Sequence, residues 1–460
     1  MFEIPATTSE NPKKEVLDAG WYERFEKIGS FQAYEYLDGD KQHRNLERDR
    51  FLTGEKENPT LDYPRLDREK IDSIEEELLI LKTDILEQEE NSVVRQVYRW
   101  RINEKLAEIR LLRASADGDM RRFRKYSEFI YGKPSPEIFA YTIKNVRKNL
   151  IDGTKSENQD IRVLAEELLA ELSIEQTQHP IPLPATEVIQ AAKDITEKTF
   201  SDLIDIPASA NEILDAESIK ALFSNALTSI QADGWTAQIS TDSKSGISVN
   251  QESRQVVIPE SRKSTVGNIR KLIAHEVGTH ALRRINGEQT KLRLLGLGLD
   301  RYESGEEGIA TMREQALEGD VTDFSGFDGH LAISLAEGLD RNPRNFRDVF
   351  TILEKYYRFR HLSNGEGAED AIKKAGLSAW NRCIRTFRGT DCSTHGTCFT
   401  KDIVYREGNI AIWDVISKNA PEMMRFDIGK YDPSNPRHIW VLEQLNITDD
   451  DLINLEKIND

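Results

Sequence analysis

The 460-residue chain predicts an α+β fold that is mainly helical, with one small antiparallel sheet set just before a helix that carries "HEVGTH" at 275–280. Three observations predict it. Apolar residues recur at intervals of three and four in Ile71, Ile74, Leu78, Leu81 and Ile85, and again in Tyr98, Ile102, Leu106 and Ile109, the period of an amphipathic helix. "WTAQIS" and "GISVNQESRQVVIP" place β-branched residues on both sides of the polar turn "NQESR", which reads as a hairpin of short strands. The composition, 38% hydrophobic and 31% charged, is that of a globular chain able to bury one large core or two to three modest ones.

Taken in order, residues 1–65 are polar, with aromatics (Trp21, Tyr22, Phe25, Phe31, Tyr34, Tyr36) that follow no period, and read as an arm that is partly ordered at best. Residues 66–180 form an α-helical N-terminal region. Its apolar stripe suits a coiled-coil contact, so a helix-mediated partner through residues 66–112 is expected. "RRFRKY" at 121–126 reads as a solvated helix face, and "YGKPSPE" breaks the pattern before helices near 137–149 and 161–174. "QHPIPLPAT" excludes a helix through Pro180, Pro182 and Pro184 and marks a domain boundary, with Thr186 as the expected cap of the next helix. Residues 185–460 then form the second domain. Helices are expected around 187–203 and 211–231, followed by the hairpin, a motif helix capped by Ser264 or Thr265, and a further helix from near Ser304.

Composition also excludes classes of function. No apolar run approaches the roughly 20 residues that span a bilayer, and "MFEIPATTSENPKKEV" has neither a basic n-region nor an apolar h-region, so a cytoplasmic, membrane-free protein is expected. Cys383, Cys392 and Cys398, an odd number crowded together, read as reduced thiols rather than a disulfide framework. A net charge of −18 argues against nucleic-acid binding. Basic residues in "SRKSTVGNIRK" and "HALRRINGEQTKLR" nevertheless surround the motif and can steer an anionic group to it.

The motif is H-E-x-x-x-H, with His275, Glu276 and His280. In the familiar zinc-protease spacing the histidines lie four apart, about 40° round an ideal helix, and both reach one ion. Five apart is about 140°, which turns them away from each other. A π-bulge, with about 4.4 residues per turn, returns them to within roughly 50°, so His275 and His280 can again share an ion. Gly278 between them supplies backbone latitude at a position where glycine otherwise costs about 1 kcal/mol relative to alanine. A hydrolytic zinc site needs a third protein ligand, and Glu303, Glu306, Glu307, Glu314 and Glu318 follow downstream; spacing alone does not choose among them.

"HEVGTHALRRING" followed by "GEEGIA" resembles the family of microtubule-associated tyrosine carboxypeptidases and their uncharacterised bacterial relatives, with the signature H-E-[IV]-G-T-H then [EQ]-E-G-[LI]-A. "TFRGTDCSTHGTCFTKDIVYREG" at 386–408 resembles a further segment of that family, and the likeness covers about 200–440. The resemblance implies a zincin-like metallopeptidase domain holding one Zn²⁺ through His275, His280 and Glu307, not Glu306. It implies metal-assisted amide hydrolysis, with Glu276 as general base and then general acid, and a protein or peptide C-terminus as substrate. Tyr405 and His395 are the candidate donors to the developing oxyanion, and Arg388 and Lys401 the candidates to bind a terminal carboxylate. The hairpin at 245–259 can hold the substrate backbone by strand addition. The chain departs from the family pattern at Thr390 and by inserting Cys392, His395 and Cys398. "CSTHGTC" lacks the C-x₂₋₄-C spacing of a structural zinc site, so the insert is expected to line the cleft. The alternative is a binding or regulatory protein that keeps the fold without catalysis.

Overall fold

The long helices start where a side chain can accept the N–H groups that the first helical turn leaves unpaired. Asp67 accepts from Lys70 N ahead of Arg68–Gln88, Asn91 from Val93 and Val94 N ahead of Ser92–Ala116, and Ser135 from Ile138 N ahead of Pro136–Gly153. The computed structural model describes residues 16–28, 33–37, 39–63, 66–172, 181–206, 209–241 and 246–447. The helices expected near 137–149 and 161–174 are Pro136–Gly153 and Gln159–Glu171. The start of the proline-rich break, and residues 1–15 of the expected arm, lie outside the described residues. Thr186 is the first residue of the helix Thr186–Thr199 rather than its cap; Ala185 holds the cap position and has no side-chain oxygen to offer.

Two expectations for the N-terminal part change. Where described, the stretch read as a partly ordered arm is helical at Ala19–Ile28, Ala33–Tyr36 and Lys41–Leu52. Tyr22, Phe25 and Leu37 join a core built from Arg68–Gln88, Ser92–Ala116 and C-terminal residues including Leu294, Tyr431 and Leu442. Phe51 is fully buried among Phe346, Phe350 and Trp380 in a second core. Phe31 lies outside the described residues; Tyr22 donates to Glu288 and Phe25 packs edge-on against Tyr98, distant partners that no local period marks. The stripe read as a partner surface is likewise covered by this chain: Ile71, Leu78, Leu81 and Ile85 are buried in the first core, and fifteen of the residues of Ser92–Ala116 are buried around the helix. Even its charged residues turn inward, with Lys105 on Glu108 at 2.9 Å and Glu108 accepting from Ala33 N at 2.9 Å.

A third core holds the helix Ala216–Ser229, the sheet and the motif helix Val266–His275. Ser248–Asn250 and Gln255–Pro259 form the expected antiparallel hairpin, turned by the Asn250 side chain accepting from Glu252 and Ser253 N. The sheet is mixed rather than purely antiparallel, because Thr236–Ser240 pairs in parallel on the far side of Gln255–Pro259. This order leaves Ser248–Asn250 as an edge strand beside the motif. Val256 and Ile258 of the central strand are fully buried against the helices, the alternation that fixes its register.

The fourth core joins Thr186–Thr199, Glu303–Glu318 and Ile403–Lys418. The last two cross where Gly308 meets Gly408; a Cβ on Gly308 would fall 2.5 Å from the Gly408 carbonyl, so a side chain there would part the helices. Asn409 and Trp413 bond to Gln315 at 3.0 and 2.8 Å and fix the rotation of one helix on the other. Among the described residues no helix is long and apolar enough to cross a membrane.

Candidate active site

Thr265 caps the motif helix, its Oγ1 accepting from Asn268 N at 3.3 Å, and the helix runs regularly to His275. Residues Glu276–Ala281 then form a π turn, the widened geometry that H-E-x-x-x-H requires. A π turn strands carbonyls that the regular ladder would use, and here they find partners. Arg313, 2% exposed, donates to the Gly278 carbonyl and to Thr279 Oγ1, both at 3.0 Å, and Thr279 Oγ1 donates to the Ala274 carbonyl at 3.0 Å. Gly278 serves packing as well as latitude, since a Cβ there would lie 3.1 Å from the Phe200 ring, itself capped by Arg313 at 4.7 Å.

The turn brings the two imidazoles to 5.0 Å between ring centroids. Their Nε2 atoms face the same oxygen, Glu307 Oε2, at 3.9 Å from His275 and 4.0 Å from His280. Each Nδ1 is backed by a different carboxylate. Glu306 Oε1 lies 2.9 Å from His280 Nδ1, and Glu314 Oε1 lies 2.7 Å from His275 Nδ1, an ion-pair distance although poorly aligned for a hydrogen bond. Histidines that bind a metal through one nitrogen characteristically have the other held this way. One donor atom from each of His275, His280 and Glu307 lies within 4.8 Å of the others. A tetrahedral ion with bonds of about 2.0–2.1 Å sets its ligands roughly 3.4 Å apart, so the trio fits a cation with a slight contraction.

Electrostatics point the same way. Burial alone would deprotonate His275, but Glu314, Glu276 and Glu307 push its pKa up to about 10, the mark of a site with surplus negative charge. Burial raises the Glu276 carboxyl above its usual range, with Glu307 and Glu314 adding to the shift against the two histidines. Glu306 behaves oppositely: it is buried, yet Lys430 and Arg283 outweigh burial and hold it well below the carboxylate range. It is a fixed anion behind His280.

A cleft of about 420 Å³ opens over this centre. Its lining includes Ser248 and Val249 of the edge strand with the neighbouring Ile247, and Arg385, Arg388, Lys401 and Tyr405. Tyr405 keeps its proton because the charge of Glu307, and then burial, raise its pKa, so its hydroxyl is available as a donor. Lys401 bonds Glu303 at 2.8 Å, Arg385 grips Asp402 with two bonds at 2.7 and 2.8 Å, and Lys430 holds Glu306. Arg388 donates to the Tyr34 carbonyl at 3.5 Å and, among the described residues, is the cleft cation with no carboxylate partner.

His395 does not join them. Its side chain is 57% exposed and pairs with Asp348 at 3.2 Å, because its loop is pinned elsewhere: Phe346 N donates to the Cys392 carbonyl and Gly396 N to that of Arg344. Cys392 and Cys398 are buried in the second core rather than lining the cleft, and all three cysteines are free. No second group of metal donors occurs among the described residues. Sequence reasoning left Glu314 without a role, although it sits two turns after Glu307 on the same helix face, which was a usable signal. Arg385, Lys430 and Tyr34 had no local signal.

The helical α+β frame and this centre define a metallopeptidase-like domain. Residues 174–319 match the model of the family described as microtubule-associated tyrosine carboxypeptidase, a stretch that contains His275, Glu276, His280 and Glu307. The chain has no match among curated proteins.

Proposed function

We propose that the protein is a zinc-dependent metallocarboxypeptidase that removes a C-terminal aromatic residue, tyrosine among them, from a protein or peptide. The observation that carries this reading is the π turn that aims both Nε2 atoms at Glu307 while separate carboxylates hold each Nδ1. The family description of the matched stretch supports the direction of cleavage. Zinc held by His275, His280 and Glu307 would polarise the scissile carbonyl and acidify a water molecule.

The chain's own residues supply the rest. Glu276, buried at the cleft with its basicity raised by that burial, takes as a carboxylate a proton from the attacking water and, once protonated, delivers it to the leaving amine. Tyr405 donates to the oxygen that gains charge as the carbonyl carbon becomes tetrahedral. Ser248–Asn250 offers an unpaired strand edge to the substrate backbone, and Arg388 receives the terminal carboxylate without having to release a carboxylate of the chain. Lys401 shapes the local field while paired to Glu303. Three free, buried thiols suit a reducing compartment, the cytoplasm.

The test is mass spectrometry of a peptide library incubated with zinc-loaded protein. Peptides with a free C-terminus should lose one residue, aromatic ones fastest, while the same peptides with a C-terminal amide survive. Equal internal cutting of both sets would make the protein an endopeptidase and remove the role given to Arg388.

A further inference from the structure

We propose that residues 33–37, near the start of the chain, form a wall of the active-site cleft, and that Tyr34 is a positioning and specificity-determining residue for the substrate's terminal residue. This rests on the carboxypeptidase reading, and it extends the site to a segment about 140 residues before the family-matched stretch. Four observations place it. Tyr34 lines the cleft with the metal-site residues. Its carbonyl accepts from Arg388, the cleft cation without a carboxylate partner among the described residues. Its ring lies 4.8 Å from Lys401 Nζ, a cation–π distance. The segment is also anchored: Ala33 and Leu37 are buried, Ala33 N donates to the buried Glu108, and Leu37 packs on the backbone at Gly389, next to Arg388.

The two cleft cations that were candidates for binding a terminal carboxylate therefore both meet Tyr34, one through its backbone and one through its ring. Arginine has a long stem with considerable rotameric freedom, and a carbonyl stop on one face pre-sets its guanidinium so that less freedom is lost when a carboxylate binds. Lys401, held by Glu303 and covered by the rings of Tyr34 and Tyr131, is not free to swing into the carboxylate position. The Tyr34 ring then stands where the side chain of a terminal residue must pass, and an aromatic side chain can pack against it. The ring packs at the edge of the first core and lines the cleft from there.

The experiment uses the full-length zinc-loaded protein with Tyr34→Ala, Tyr34→Leu and Tyr34→Phe. For a peptide ending in a free aromatic residue, Tyr34→Ala and Tyr34→Leu should raise KM about tenfold, equivalent to about 1.4 kcal/mol, with kcat within about twofold. Tyr34→Phe should stay near the parent, and zinc content should not change in any of the three. Tyr34→Leu keeps most of the buried volume, so the test survives if the alanine variant fails to fold. In parallel, calorimetry on the Glu276→Gln background should find N-acetylphenylalanine bound more tightly than N-acetylalanine, with that preference reduced about tenfold when Tyr34 is also replaced by leucine, while the preference for acid over amide, which rests on Arg388 and a backbone carbonyl, is kept. Unchanged KM and an unchanged preference for phenylalanine over alanine in the Tyr34→Leu protein overturn the proposal and leave the carboxypeptidase reading intact. A parent protein that trims acid and amide peptides alike sinks the carboxypeptidase reading itself, and with it this one.

Discussion

Replacing the adjacent carboxylates Glu306 and Glu307 separately should produce opposite kinds of damage. Glu306 is 3% exposed and holds Arg283 (fully buried), Lys430 at 2.9 Å and His280 at 2.9 Å. Glu306→Ala leaves two buried cations without their shared anion, a change that costs about 3–5 kcal/mol and should lower the melting temperature of the metal-free protein by roughly 5–10 °C. Its effect on the metal is indirect: losing the partner of a metal-binding histidine weakens affinity about 10–100-fold, or about 1.4–2.7 kcal/mol. Glu307 has no cation within hydrogen-bonding distance among the described residues; its nearest charged partners are the two Nε2 atoms at 3.9 and 4.0 Å. Glu307→Ala should therefore melt near the parent when metal-free, yet lose most of its zinc. The assay is zinc content by elemental mass spectrometry after dialysis against a weak chelator, paired with thermal melts of the metal-free proteins. If Glu306→Ala emptied the site at saturating zinc while Glu307→Ala kept one equivalent, the assignment of ligand and support would be reversed.

Further outcomes follow from the same geometry. His275→Ala and His280→Ala should each lose most bound zinc in the elemental assay, because either change removes one of three protein ligands. Glu276→Gln should retain zinc and lose turnover by about 10²–10⁴-fold, measured as initial rates on a free-carboxylate peptide. Arg388→Gln should raise KM for that peptide about tenfold or more with little change in kcat, whereas an unchanged KM would move the carboxylate site elsewhere. Burial first, and then Glu128, push the Glu337 carboxyl up to about 7 against the pull of Arg124. A carboxyl whose folded pKa is raised binds more protons folded than unfolded, so its stabilising contribution is complete below about 4.5 and is lost as pH rises towards 7. Urea unfolding at pH 5 and pH 8 should therefore show Glu337→Gln losing on the order of 2–3 kcal/mol less than the parent across that window.

The sequence by itself determined what depends on neighbours a few residues apart. The helical periods, the "NQESR" hairpin, the Thr265 cap and the π turn within H-E-x-x-x-H are consequences of local spacing, and each stands where that spacing put it. It also named, by spacing and resemblance, the three side chains whose donor atoms converge. Tertiary structure decided which side chains from distant elements meet. Five glutamates lie in Glu303–Glu318, and which of them faces both Nε2 atoms depends on the rotation of that helix, set by the Gly308–Gly408 crossing and the Gln315 bonds to Asn409 and Trp413. His395 looked like a cleft residue beside its motif, but the buried cysteines on either side of it turn the loop toward Asp348. The described aromatics near the start of the chain follow no period because they pack on partners far along the sequence, Phe25 on Tyr98 and Tyr22 on Glu288. For Tyr34 that partner is the cleft. A helix or strand period records only which face of an element is buried, while the identity of what covers it comes from packing between elements that no local spacing encodes.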